Sequence, residues 1–336
     1  MRVADGSYRL PARYMAQLVD YLESIGIDRE PMLRAARIRS IDRPQAQLTL
    51  RQVEALLRAA EQASGRLDLG FELGRRLDPT SHDVLGFALL TSPSFGHLLR
   101  LAVGYQRLIQ PVFALSLQRR AGRVDLVYRP AVALPHRTMR VLEEAIVMSN
   151  HTAFESTLGD RLQPYDVWLS IECPPHGRRY AELSRARVHF GDDVPGVRIS
   201  MEAALLDAPL AMANPRAMRA AEERCKALLR QTLARRRWSE WCRMMLRESE
   251  DSRPTLEQLA GFMNISARTL ARYLDAENTS FRDLSLQVRT ERARRLLAEG
   301  DLSVTQIAYR LGFTDVASFV RSFRAQTGRT PGSLRA

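Results

Sequence analysis

Along the first half of the chain apolar residues fall at helical spacing, in stripes cut by glycine and proline. Tyr14, Leu18, Val19, Leu22 and Ile25 form one such stripe, ended by Gly26, and predict a helix. A second helix is predicted after Thr49, with Val53, Leu56, Leu57 and Ala60 on its buried side and Gly65 beyond its end. Further helical patterns cover Leu67 to Leu77, His82 to Leu90 and Phe95 to Ile109, punctuated by Pro79 and Pro93. The period then changes. Val112 to Gln118 and Val124 to Tyr128 read as two strands joined by an Arg-Arg-Ala-Gly-Arg turn, which predicts a hairpin. After a helix over Thr138 to Leu158 come strands at Val167 to Ile171, Arg187 to Phe190 and Val197 to Met201. These elements make an α+β domain of about 210 residues, enough for its own core.

Asn214-Pro215 marks the expected boundary, because proline readily opens a helix. Residues 213–234 are expected to form a helical linker bearing Met218, Ala221, Cys225, Leu228 and Leu229. That stripe either docks on the N-terminal domain, residues 1–212, or pairs with its copy in a dimer. A further domain is expected over residues 235–336, opening with Arg235-Arg-Arg237 and a helix whose Trp238, Trp241, Met244, Met245 and Leu246 read as core rather than as a stacking platform.

This last domain contains a repeat. Leu256, Leu259, Ala260, Met263, Ile265, Ser266, Leu270 and Leu274 recur as Val304, Ile307, Ala308, Leu311, Phe313, Thr314, Phe319 and Phe323, offset by 48 residues before the turn and 49 after it. Ala260 and Ala308 stand where a second helix must cross closely. Asn264 and Gly312 tolerate the positive φ of a tight turn. Ser266 and Asp315 are expected N-caps for the orphan amides of the next helix. Each half is therefore a helix-turn-helix unit. Phe281 to Ala298, with Leu284, Val288, Ala293, Leu296 and Leu297, suits a connecting helix of roughly 25 Å. The second helix of such a unit fits a DNA major groove, and two units imply two successive groove contacts, since one duplex turn is about 34 Å.

The run Arg289-Thr-Glu-Arg-Ala-Arg-Arg-Leu-Leu297, then Val304-Thr-Gln-Ile-Ala-Tyr-Arg-Leu-Gly-Phe-Thr-Asp315, Ser318-Phe319, Phe323-Arg324 and Gly328-Arg-Thr-Pro331, resembles the signature of the AraC/XylS transcription regulators. The resemblance implies an all-α DNA-binding domain acting at promoter DNA with RNA polymerase, more often as an activator. The chain departs from the family pattern at Asn278, where many members carry glycine, and at Leu334, where many carry an aromatic residue. Upstream, Phe190-Gly191 and Met201-Glu-Ala-Ala-Leu-Leu-Asp-Ala-Pro-Leu210 resemble the subgroup whose N-terminal domain is of the helix-rich type labelled arabinose-binding. This implies that residues 1–212 bind an unidentified small-molecule effector and mediate homodimerisation.

Formal net charge is +12, which favours a polyanionic partner. Residues 235–336 hold 18 Arg against 12 Asp and Glu, an excess of 6, so half the surplus lies in under a third of the chain. Lys226 is the only lysine among 50 basic residues, a bias spread over the whole sequence that fits codon composition better than selection for DNA contact. No apolar run approaches the ~20 residues that span a bilayer, and Met1-Arg-Val-Ala-Asp-Gly-Ser lacks the apolar core of a signal peptide, so a cytoplasmic location is expected. Cys173, Cys225 and Cys242, odd in number and scattered, agree with reduced thiols.

Helix geometry selects the DNA-contact candidates. In the first recognition helix Arg268, Thr269 and, one turn on, Arg272 face outward with the Ser266 cap, while Leu270 and Leu274 turn inward. In the second, Thr314, Asp315, Ala317, Ser318 and Arg321 face outward, Phe319 and Phe323 inward. Arg268, Arg272 and Arg321 suit bases or phosphates, and Thr269 and Ser318 shorter hydrogen bonds. Asp315 is repelled by phosphate and reads as a cap.

Arg140, Glu144, His151 and Glu155 fall within about 60° on the helical wheel of an otherwise apolar helix. Such a stripe is most often a solvated edge, here with an Arg140 to Glu144 ion pair; the alternatives are an effector pocket or a metal held by His151 and Glu155. Cys173-Pro-Pro-His176 has too few ligands for zinc, and neither a metal nor a cofactor is expected. HExxH, Walker and Gly-x-Ser-x-Gly motifs are absent, which argues against an enzyme. The alternatives to an effector-responsive regulator are a Cys-dependent DNA repair methyltransferase, for which Cys173 lacks paired cysteines, and an architectural DNA binder without effector.

Overall fold

The α+β half and the all-α half are separate units in the computed structural model, Met1–Arg236 and Arg237–Ala336. The structure describes residues 9–43, 46–234, 238–248, 254–262, 265–300 and 302–334.

In the first unit β1 (Arg9–Pro11) leads into α1 (Ala12–Ser24) and α2 (Arg29–Ala35), and β2 (Gln47–Thr49) returns antiparallel to β1. Next come α3 (Leu50–Ser64), α4 (Leu69–Arg76), a single turn at Pro79–His82, α5 (Asp83–Leu90) and α6 (Phe95–Ile109). Thr49 and Gln52 cap α3 reciprocally, and Gly65 ends it at φ 66°. The strands β3 (Phe113–Arg120) and β4 (Arg123–Pro130) are followed by α7 (His136–Leu158), β5 (Tyr165–Leu169), β6 (Ala186–Phe190), β7 (Val197–Glu202) and α8 (Pro215–Ala234). The sheet runs β3-β4-β7-β5-β6, antiparallel except between β5 and β6. Its hairpin is tighter than the five-residue turn expected. Ala121 and Gly122 both take positive φ, the two-residue turn whose twist matches that of the strands, so the flanking arginines stay in the ladder.

Helix α7 is the centre of this unit. Gly70 and Gly74 of α4 face it so closely that a Cβ at Gly70 would lie 2.5 Å from Glu144 Cβ, and one at Gly74 2.6 Å from the Ala145 carbonyl oxygen. Sequence analysis expected a solvated polar edge here, with Arg140 paired to Glu144. The structure corrects the pairing and most of the edge, since only Glu155 of the four stays exposed. Glu144 and His151 are buried, and Arg140 pairs with Glu61 of α3. The reason is non-local: β5 and the segment around His176 cover this side of α7, which no single-helix pattern reveals.

Met218, Ala221 and Cys225 of α8 are buried, and the helix packs on α5 and α6, so within the described contacts the segment docks rather than standing free. Its start is set by Asn214, whose side-chain oxygen accepts from the amide of Ala217.

The second unit is helical throughout its described residues: α9 (Trp238–Glu248), α10 (Leu256–Phe262), α11 (Ala267–Ala276), α12 (Phe281–Glu299), α13 (Val304–Arg310), α14 (Val316–Thr327) and a last turn at Pro331–Leu334. Trp238 and Trp241 are core, with Trp238 stacked on Tyr273 at 5.0 Å, and Glu277 accepts from the amides of Trp238 and Ser239 to cap α9. Buried Leu284 and Val288 lie toward the start of α12, while Ala293 and Leu297 join Ile307, Ala308, Leu311, Phe319 and Phe323 in the core of the second module. The turn residue Asn264, with Met263, and the run Arg235 to Arg237 lie outside the described residues.

Candidate nucleic-acid interface

The two modules present α11 and α14 by matching devices. Ser266 accepts from the amide of Thr269 at 3.1 Å, and Asp315 accepts from the amide of Ser318 at 2.7 Å, the same interval one repeat apart. The repeat also extends to the helices before the turns. Thr255 and Gln258 cap α10 reciprocally, as Ser303 and Gln306 cap α13. Asn278 takes φ 54° where it ends the first module, the left-handed role glycine fills more often.

Inward faces follow the sequence pattern: Leu270, Leu274, Phe319 and Phe323 are buried. Outward, Ser266, Arg268 and Arg272 of the first module are exposed, as are Thr314, Asp315 and Arg321 of the second. Thr269 and Ser318 are half-buried, and both hydroxyls engage their caps, Thr269 Oγ1 with Ser266 Oγ at 2.9 Å and Ser318 Oγ with Asp315 at 2.7 Å. Arg321 donates to Ser318 Oγ at 3.1 Å, which holds its guanidinium over the first turn of α14. Hydrogen bonds from Ser318 keep the Asp315 carboxyl below its ordinary range, so it stays a charged acceptor. Arg272 lies over the Tyr273 ring, 5.6 Å from its centroid, and Tyr273 is itself fixed on Trp238.

Arg310 and Arg324, not among the sequence-derived candidates, are both exposed in the same module as Arg321. Each stands beside a core residue, Leu311 or Phe323, so the apolar stripe alone does not single them out.

The first unit holds a partly open cavity of about 110 Å³ bounded by α1, α4, α5, α6, α7 and the face of β3 and β4. The lining residues from α7 include Leu142, Ala145, Ile146, Asn150 and Phe154. Arg140, Glu144, His151 and Glu155 do not line it. Glu144 meets His176 Nε2 at 2.7 Å, and His151 Nδ1 meets the Tyr165 hydroxyl at 2.8 Å. His151 and Glu155, 3.4 Å apart, border a surface depression with Arg75, Arg179 and Glu182. Burial pushes the His151 imidazole down and the Glu144 carboxyl up, in each case against the charged form. Among the described residues no group of three or more His, Cys, Asp or Glu could hold a metal. Cys173 is exposed, whereas Cys225 is buried with its thiol pushed up to about 11 by desolvation, the reverse of an activated nucleophile. No described helix is long and apolar enough to cross a membrane.

Residues 26–210 match the family model of the arabinose-binding domain of AraC transcription regulators, and residues 259–336 a helix-turn-helix domain model. An ornithine utilization regulator of Pseudomonas aeruginosa is 30% identical over 329 residues, covering 97% of this chain and 96% of that protein. The regulator VqsM of the same organism is 26% identical over 281 residues, 79% of this chain and 83% of that one. The transcriptional activator NphR of a Rhodococcus species is 38% identical over 93 residues, 28% of each chain. Among solved structures, the P. aeruginosa regulator CdpR is 22% identical with a TM-score of 0.47, over 96% of this chain and 98% of that one.

Proposed function

The chain belongs to the AraC family of transcription regulators, of the kind with an arabinose-binding-type N-terminal domain, and from that premise we propose how it engages DNA and what controls it. It is a DNA-binding regulator and not an enzyme. In our reading each protomer lowers α11 and α14 into successive major grooves of promoter DNA. Arg268, Arg272 and Arg321, with the exposed Arg310 and Arg324, supply base and phosphate contacts. One observation carries this: two helices capped in the same way, each with exposed arginine near a polar first turn, joined by a 19-residue helix whose length is about 28 Å. That length is compatible with adjacent grooves about 34 Å apart once lateral offset is added.

Asp315, Ser266, Thr269 and Ser318 act first as the frame that aims the arginines. The N-terminal unit is proposed to be the sensor and the homodimer contact, its effector biasing DNA affinity only as far as it prefers one arrangement of the protein, typically 1 to 3 kcal/mol. Activation through RNA polymerase is favoured by the matching DNA-binding segment of a relative named as an activator. The ornithine utilization in one relative's name is not proposed for this chain, because the described cavity lining holds no Asp, Glu, Lys or Arg to meet an amino acid.

The test is affinity for DNA selected from the chromosomal region around the gene. Arg268→Ala and Arg321→Ala should each lose about 1 to 3 kcal/mol of specific binding, and log K should fall by about 0.9 per phosphate contact with log salt. Unchanged affinity in both variants, or a flat salt response, contradicts the reading.

A further inference from the structure

We propose that the cavity of the N-terminal unit is the effector site and that it takes a small uncharged molecule, with an apolar body about the size of benzene and one hydroxyl-like group. The inference rests on reading that unit as the sensor, and adds where the ligand sits and what chemistry it has.

Three observations carry it. The first is size and wall. Leu73, Leu98, Leu99, Ile146 and Phe154 give the cavity an aliphatic and aromatic lining, and its volume of about 110 Å³ is of the order that admits benzene in an apolar protein cavity. The second is charge: among the described lining residues there is no Asp, Glu, Lys or Arg. Arg13, next in sequence to the lining residue Tyr14, is not itself part of the lining. It donates to the Tyr14 hydroxyl at 3.1 Å and is answered by Asp83 at 2.7 Å. His82 belongs to the lining, and burial pushes its imidazole down to about 4, so near neutral pH it adds no charge. A carboxylate or ammonium entering this space would be desolvated without a partner.

The third is a vacant hydrogen bond. Most polar groups of the lining already answer one another: Tyr14 with His82 at 3.0 Å, and Tyr128 donating to Asn150 Oδ1 at 3.1 Å while Asn150 donates to the Ile146 carbonyl at 2.8 Å. Gln110 Oε1 is buried and has no hydrogen-bond partner among the described residues. A buried acceptor left unmade is costly, and a ligand hydroxyl that draws the Gln110 side chain round to the cavity recovers that cost. Gln110 follows the last turn of α6, and α6 also carries α8, with Tyr105 donating to Glu222. Occupancy therefore bears on the helix that supports the last helix of the first unit.

The experiment is calorimetric and thermal-shift titration of the full chain with phenol, benzyl alcohol, benzene, benzoate and benzylammonium at millimolar concentrations. Phenol and benzyl alcohol should bind saturably and raise Tm, with benzoate and benzylammonium at least tenfold weaker. Ala102→Trp, which fills the space, should abolish binding. Gln110→Leu should weaken phenol severalfold and leave benzene unaffected; it carries the test should the tryptophan variant lose its unfolding transition. Charged probes binding as tightly as benzyl alcohol, phenol binding undiminished in Ala102→Trp, or no saturable binding of any neutral probe would each overturn the assignment. DNA affinity is read in the same samples. Neutral probes that bind as described without altering it leave the site standing and remove the sensor reading instead.

Discussion

Asp315 serves the first turn of α14 three ways, accepting from the Ser318 amide and hydroxyl and, at 3.4 Å, from Thr314 Oγ1. Its charge opposes phosphate while its geometry places Ser318 and Arg321, so the two effects separate by substitution. Asp315→Asn keeps an acceptor and removes the charge; it should hold Tm near that of the parent and tighten DNA binding. Asp315→Ala should lower both Tm and affinity, and denaturation beside gel-shift measurement checks the pair. At Ser266 the cap is uncharged, and Ser266→Ala should cost about 1 kcal/mol of stability. Two buried groups contribute opposite pH responses. Glu143, bonded to Ser170 Oγ at 2.6 Å, is pushed by desolvation up to about 7, so the folded chain holds a proton the unfolded chain releases between 4.5 and 7. Its stability contribution is lost as pH rises through that window. His82 works oppositely: the unfolded chain takes up a proton between 6.5 and about 4 that the folded one refuses, and stability is lost as pH falls. Glu143→Gln should match the parent near pH 4.5 and exceed it at pH 8 by up to about 3 kcal/mol in urea unfolding.

Among the elements, α7 and α4 depend on each other through glycine. An added Cβ at Gly74 meets the Ala145 backbone, which cannot rotate away, so Gly74→Ala should destabilise by about 1 to 3 kcal/mol in chemical denaturation. Loss of nothing there would mean the helices separate easily. Elements whose signals are local were legible in the sequence: α6 runs from Phe95 to Ile109 as its stripe and the preceding Pro93 indicate, α3 begins at its Thr49 cap, and Asn278 adopts the left-handed turn. The strands β1 and β2 were not, because three residues are too few to display alternation. Nor was the fate of the α7 stripe, since Glu144 finds His176 and His151 finds Tyr165 across the fold, contacts that depend on β5 and its neighbours being in place. The cavity was invisible for the same reason: its lining is drawn from helices and strands spread over more than a hundred residues.

The whole molecule combines a helix-turn-helix pair with a unit that holds an apolar cavity. The charge excess of the C-terminal third sets the expectation of strong salt dependence, while in the proposed reading a few arginines aimed by capped helices supply specificity. The most direct measurement is methylation-interference footprinting of the full chain on its selected DNA site. The account predicts guanine N7 interference in two successive major grooves on one face of the duplex, centred about 10 base pairs apart for each protomer, with Arg268→Ala and Arg321→Ala each erasing a different one. Interference confined to a single groove, or both patches surviving in both variants, would contradict it.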